Sequence, residues 1–129
     1  MTKELPQKPT ASELEILQVL WTRGPSTVRE VHEALSEQKS LGYTTVLKLL
    51  QIMTAKGSVR RNEEQRAHVY EACQPATETK RQLVGDVLKR VFEGSASELM
   101  MHALEGRRTS KKEVEELRRL LDEYERRTR

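Results

Sequence analysis

The sequence predicts a mainly α chain: a winged helix-turn-helix over residues 1–74, followed by a three-helix arm over residues 75–129. Three observations carry that reading. Ser or Thr followed three residues later by Glu recurs as Ser12 with Glu15, Thr27 with Glu30, Ser95 with Glu98 and Ser110 with Glu113. In such a capping box each side chain satisfies an orphan backbone N–H at a helix start. Three short helical patterns then precede a segment with strand texture, the element order of a winged helix-turn-helix. Finally, 36% of residues are hydrophobic but only 4% aromatic, so aliphatic side chains at helical spacing must form the core.

The first helix opens at Ser12, carries Leu14, Leu17, Val19, Leu20 and Trp21, and stops at Gly24 and Pro25. The second opens at Thr27 and turns Val28, Val31, Ala34 and Leu35 inward. The third is GYTTVLKLLQIMTAKG, residues 42–57, with a glycine at either end. Projected at about 100° per residue, Val46, Leu49, Leu50 and Met53 share one sector and form its buried face. Thr44, Lys48, Gln51 and Ala55 lie opposite, and Leu47 sits at the edge of the exposed sector.

Between Gly57 and Pro75 the segments SVRR and HVYEA can alternate, and the polar run NEEQRA joins them, which reads as a β-hairpin. Its connection is longer than a two-residue turn, so the tip is expected to be mobile and solvated. Pro75 breaks the chain before a helix bearing Leu83, Val84, Val87, Leu88 and Val91, and the domain boundary is placed there. One further helix runs from Ser95 to a stop at Gly106, and the last opens at Ser110. The tail ERRTR reads as a frayed, solvated end.

Charge points to a partner. The net charge is +3 and the pI about 9.1, but residues 39–68 hold six Lys and Arg against two Glu, and no acid occurs from Gly42 to Arg61. A helix lying in a major groove roughly 12 Å wide must present short or hydrogen-bonding side chains, and a carboxylate there is repelled by phosphate. The pattern therefore predicts double-stranded DNA as partner, with Thr44, Thr45, Lys48 and Gln51 reading bases. Lysine reaches guanine O6 or N7, glutamine suits adenine, and threonine offers a hydroxyl or a methyl. Tyr43, Lys56, Arg60, Arg61, Arg66 and His68 are the expected phosphate contacts. Tyr43 packing against the hairpin is an equal alternative, as is Leu47 covering the core rather than a thymine methyl.

Other classes of function find little support. One cysteine, Cys73, excludes a disulfide framework or a cysteine-built metal cage, and His32, His68 and His102 fall on different elements, so neither metal nor cofactor is expected. No paired-carboxylate, Ser-His or Gly-rich phosphate motif stands in a suitable context for an enzyme. EVEELRRLLDEYE is a solvated helix face with i, i+4 pairs. MTKELPQKPT has no apolar core of a signal peptide or anchor, so a cytoplasmic location is expected.

The segments SELEILQVLWTRGPSTVREVHEAL, GYTTVLKLLQIMTAKGSVRR, RAHVYEA, LKRVFEGSASELMMHALEG and SKKEVEELRRLLDE, in that order and spacing, resemble the penicillinase repressor (BlaI/MecI) family from about Thr10 to Tyr124. The resemblance implies a homodimeric transcriptional repressor that binds two-fold symmetric operators rich in TACA and TGTA and acts in antibiotic response. It departs at Ile52, where relatives often carry an arginine on the recognition helix, and in lacking the Cys-x-Cys pairs of copper-responsive members.

About 54 residues of arm are too few to close a core alone, so a second copy is expected to cover Val87, Leu88, Val91, Phe92, Leu99, Met100, Leu104, Val114, Leu117, Leu121 and Tyr124. The resemblance further implies induction by a membrane-bound sensor protease, with cleavage near Met101, His102 and Ala103, although the family's Asn-Phe pair is absent. The basic connector at residues 106–109 is a rival cut site. A ligand-responsive winged-helix regulator, which needs an apolar pocket between arm and DNA-binding domain that one Phe and one Trp would wall poorly, and a protein-binding winged helix without operator contact are the alternatives.

Overall fold

The computed structural model describes residues 8–37, 41–64 and 66–128, so Lys39 of the basic segment lies outside the described residues. In chain order the elements are α1 (Ala11–Arg23), β1 (Ser26–Thr27), α2 (Val28–Ser36), α3 (Tyr43–Lys56), β2 (Val59–Asn62), β3 (Val69–Ala72), α4 (Ala76–Arg90), α5 (Ala96–Glu105) and α6 (Lys111–Arg127). The chain is mainly helical with a small antiparallel sheet, the winged helix-turn-helix and helical arm that the sequence predicts. It divides into two compact units, one ending at Gly85 and the other beginning at Asp86, so the first part of α4 folds with the winged helix.

The first unit is built around aliphatic side chains. Ile16, Leu17 and Leu20 of α1, Val28, Val31 and Leu35 of α2, and Val46, Leu50 and Met53 of α3 are buried together with Val59 and Tyr70 of the sheet. Ile16 is wholly covered, although the helical reading of α1 passed over it. Leu14, Val19, Trp21, Leu47 and Leu49 are half-buried at the margin. The expected hairpin forms, pairing Val59 with Ala72 and Asn62 with Val69. A third strand was not expected: Ser26 and Thr27 pair with Tyr70 and Val69, giving the order β1-β3-β2. A two-residue strand has no periodicity to read, and it exists because β3 supplies the ladder.

Helix starts follow the capping logic with one shift. Thr27 and Glu30 form a reciprocal box, with Thr27 N donating to Glu30 Oε1 at 2.9 Å and Glu30 N to Thr27 Oγ1 at 3.2 Å. That backbone bond, ahead of the smaller effects of the Thr27 hydroxyl and Arg23, holds the Glu30 carboxyl below its ordinary value. Its contribution is therefore present above the usual carboxylate range and is lost as pH falls through the lowered value. Ser95 and Ser110 accept from the N–H of Glu98 and Glu113, both at 3.1 Å. The Glu113 carboxylate turns instead to Arg107, so that box is half closed.

For α1 the expected cap is displaced. Thr10 with Glu13, rather than Ser12 with Glu15, makes the reciprocal box, each bond at 3.2 Å. Both pairs satisfy the Ser/Thr-x-x-Glu pattern, and tertiary structure selects between them because Glu13 is buried against α3.

Trp21 Nε1 donates to the carbonyl of Gln74 at 2.9 Å, tying α1 to the residue before Pro75. The hydroxyl of buried Thr79 donates to the Gln74 side chain at 3.1 Å, so the start of α4 is fastened to the same point.

In the second unit, α5 and α6 bury none of their side chains. The turn between α4 and α5 is closed by Gly94 N donating to Leu88 O at 2.9 Å, with Glu93 at φ 50° and Gly94 at φ 86°. Glu93 holds a left-handed conformation that glycine adopts without steric cost.

Thr10→Ala is expected to lower stability by about 1 kcal/mol, the usual cost of a lost N-cap, and Ser12→Ala to change it by less than about 0.5 kcal/mol. Urea denaturation of the two variants measures the difference.

Candidate nucleic-acid interface

The candidate site is the surface formed by α3 and the hairpin. The helix runs between two glycines, as its sequence demands. Gly42 is the N-cap and makes no side-chain capping bond, and Gly57 at φ 85° ends the helix in the left-handed conformation. Gly57 N donates to Thr54 O at 3.2 Å and Ser58 N to Met53 O at 3.0 Å, satisfying carbonyls the last turn leaves open.

Val46, Leu50 and Met53 have no exposed surface, so one side of α3 is fixed in the core. Thr44, Thr45, Lys48, Gln51 and Ala55 are exposed on the other side, all of one helix face and all without a charged partner among the described residues. Leu47 packs against the core margin. Ile52 is 40% exposed and belongs to the polar face, where its branched side chain is the largest apolar group.

Tyr43, at the first residue of α3, stacks edge-on against His32 of α2 with ring centroids 5.9 Å apart and planes at 77°. Its ring, 48% exposed, also lines a shallow cup of about 520 Å³ with Arg66 and His68. The ring thus packs on α2 while about half of the residue stays exposed.

Lys56 departs from its expected role. Its ammonium donates to Glu13 Oε1 at 2.8 Å and to the carbonyl of Lys8 at 3.4 Å, and the two side chains are 14% and 4% exposed. This charge is neutralised inside the fold, where it joins the end of α3 to the start of α1, and is not presented to a partner. The sequence marked Lys56 as one more cation in an acid-free window; its partner lies 43 residues earlier and leaves no local trace.

On the wing the cations fall into two groups. Arg60 donates through Nε to Glu71 Oε1 at 2.8 Å across the strand pair, and Arg61 donates through Nε to Glu63 Oε2 at 2.8 Å. Both guanidinium groups hold their protons more tightly than usual, Arg60 through Glu71, and Arg61 through the Tyr70 phenol first and then Glu63. A phosphate approaching either one competes with a carboxylate already in place. Arg66 and His68, beyond the loop, are exposed and form no ion pair with a described residue. Arg29, on α2, lines the same cup, and nothing in its sequence neighbourhood marks it as a contact. It lies in an acid-rich helix, and only the folding of α2 beside the wing gives it basic neighbours.

In the arm, Val87, Val91, Met100, Leu104, Leu120, Leu121 and Tyr124 are exposed, with Leu121 at 68%. Met101, His102 and Ala103 are exposed on α5, and the His102 ring lies 5.7 Å from that of Phe92. No helix among the described residues is long and apolar enough to cross a membrane.

Comparison with known proteins places these features in context. The family model of the penicillinase repressors matches residues 9–123. The chain is similar to the transcriptional regulator BlaI of Mycobacterium tuberculosis, 37% identical over 115 residues that cover 88% of this chain and 82% of the relative. It is similar to the penicillinase repressor of Bacillus licheniformis, 26% identical over 97% of both chains. Among solved structures, it resembles the monomeric form of Bacillus licheniformis BlaI in complex with the blaP half-operator, at 26% identity and a TM-score of 0.51, covering 60% of this chain and 93% of that one.

Lys56→Met is expected to destabilise the fold by roughly 3 kcal/mol, because it strands the buried Glu13 carboxylate. Lys48→Ala, on the exposed face, should shift stability by less than about 0.5 kcal/mol. Thermal or urea unfolding of both variants checks the contrast, and Glu13→Leu combined with Lys56→Met should recover most of the loss.

Proposed function

This chain belongs to the penicillinase repressor family, and on that premise we propose that it is a DNA-binding transcriptional repressor that occupies a two-fold symmetric operator as a homodimer. The observation that carries the reading is the division of α3 into a fully buried apolar side and an exposed, acid-free side bearing Thr44, Thr45, Lys48 and Gln51. These four side chains read base edges, and the wing cations grip the backbone. The similarity to a relative solved on its half-operator supports the same use of the fold.

Dimerisation follows from the arm. Helices that bury nothing of their own, yet carry Leu117, Leu121 and Tyr124 of α6 and Met100 and Leu104 of α5, acquire a core by pairing with a second copy. Joining two half-sites makes the second contact nearly intramolecular, which can raise affinity by orders of magnitude. Induction acts on this dependence: a cut at residues 99–104, around Met101, His102 and Ala103, splits the arm and releases the operator. A sensor protease responding to a β-lactam or cell-wall signal is the proposed source of the cut.

Selection of bound fragments from random DNA should yield a palindromic sequence. Lys48→Ala is expected to change which sequences are selected, at a cost of about 1–3 kcal/mol on the preferred site. Arg66→Ala should weaken all sequences alike and reduce the salt slope by about 1. Equal effects from the two variants would sink the division into reading and gripping residues. Sedimentation should give a dimer at micromolar concentration, and chain cleaved at residues 99–104 should sediment as monomer and leave the operator.

A further inference from the structure

The cup beside the start of α3 gathers side chains from three separate parts of the first unit. Arg29 comes from the first turn of α2, Tyr43 from the first residue of α3, and Arg66 and His68 from the run into β3. Thr27 and Val28 complete one wall, and the buried ring of Tyr70 contributes to the lining. None of the described lining residues is acidic. Neither Arg29 nor Arg66 forms an ion pair with a described residue, whereas Arg60 and Arg61 each have a carboxylate within 2.8 Å. Two guanidinium groups left without counter-ions around one concavity repel each other and are poised for an anion.

The lining supplies further donors. A tyrosine hydroxyl and an imidazole N–H each donate one bond. The backbone amides of Val28 and Arg29, in the first turn of α2, have no intrahelical acceptor. The Glu30 carboxylate, next to Arg29 in the chain, is held by Thr27 N and lies near Arg23.

We infer that this cup is a clasp for one backbone phosphodiester of bound DNA, with Arg29 as a contact residue on α2. The inference deepens the proposed repressor function and rests on it. A duplex whose major groove receives the face of Thr44 and Lys48 brings its sugar-phosphate edge past the N-terminal end of α3, where Tyr43 stands at the rim. The clasp grips that edge from both sides, Arg29 from the helix-turn-helix and Arg66 with His68 from the wing. It thereby sets how deeply α3 enters the groove, and it carries no sequence information of its own.

The test uses the full-length protein and the duplex obtained by selection, with single phosphates replaced in turn by uncharged methylphosphonates. Wild-type protein should lose about tenfold in affinity at one linkage per half-site beside the α3 entry, the scale of one charge-assisted contact. Arg29→Ala should be insensitive at that linkage and retain wild-type sensitivity at the others. Tyr43→Phe, which removes one hydroxyl, should show partial loss of sensitivity at the same linkage. Arg29→Ala binding as tightly as wild type, or weakening with every linkage still as sensitive as before, overturns the clasp while leaving the repressor reading intact. Absence of salt-dependent binding by the wild-type protein to any selected duplex overturns both.

Discussion

The exposed face of α3 is positioned by the side chains behind it. Val46, Leu50 and Met53, wholly covered by α1, α2 and the sheet, fix the rotation of the helix about its axis. Each contributes on the order of 2 kcal/mol through burial, and a turn of the helix would expose them and bury Lys48 or Gln51 without a partner. The exposed face is thus specified indirectly. Its residues need make no contact within the protein, because the opposite face leaves them one place to be.

Axial position is fixed differently. At one end Gly57 stops the helix in a conformation other residues adopt with strain, and beside it the Lys56 ammonium is bound to Glu13. The carboxylate also closes the cap of α1 through the N–H of Thr10. One side chain therefore terminates α1 correctly and anchors the far end of α3, which explains why a charge can be buried here without being orphaned. At the other end Tyr43 rests against His32, so the entrance of the helix is held by the element that precedes it.

Charge is sorted by the same folding. Cations within reach of carboxylates, Lys56, Arg60 and Arg61, are neutralised in place, and Lys48, Arg66 and Arg29 form no ion pair among the described residues. A formal count of basic residues treats all six alike. The arm follows the opposite principle, since many of its apolar side chains remain exposed among the described residues. Its stability in the proposed repressor depends on a second copy, which makes it a natural point of control.

Whatever depends on neighbours along the chain is legible in the amino-acid order. Six helices, the glycine limits of α3, the hairpin and the division of α3 into a core face and an exposed face could all be read, because capping and amphipathic periodicity act within a few residues. Tertiary structure decided whatever depends on residues far apart in sequence. Strand β1 exists because Tyr70 and Val69 offer it a ladder. Thr10 prevails over Ser12 as the cap because Glu13 meets Lys56. For the same reason Lys56 changes from a surface cation into an internal tie, and Arg29 leaves an acid-rich helix to join Arg66 and His68 around one cup. A charge reveals its sign in the sequence, but its partner is chosen by distance in space, and that distance is set when the aliphatic core closes.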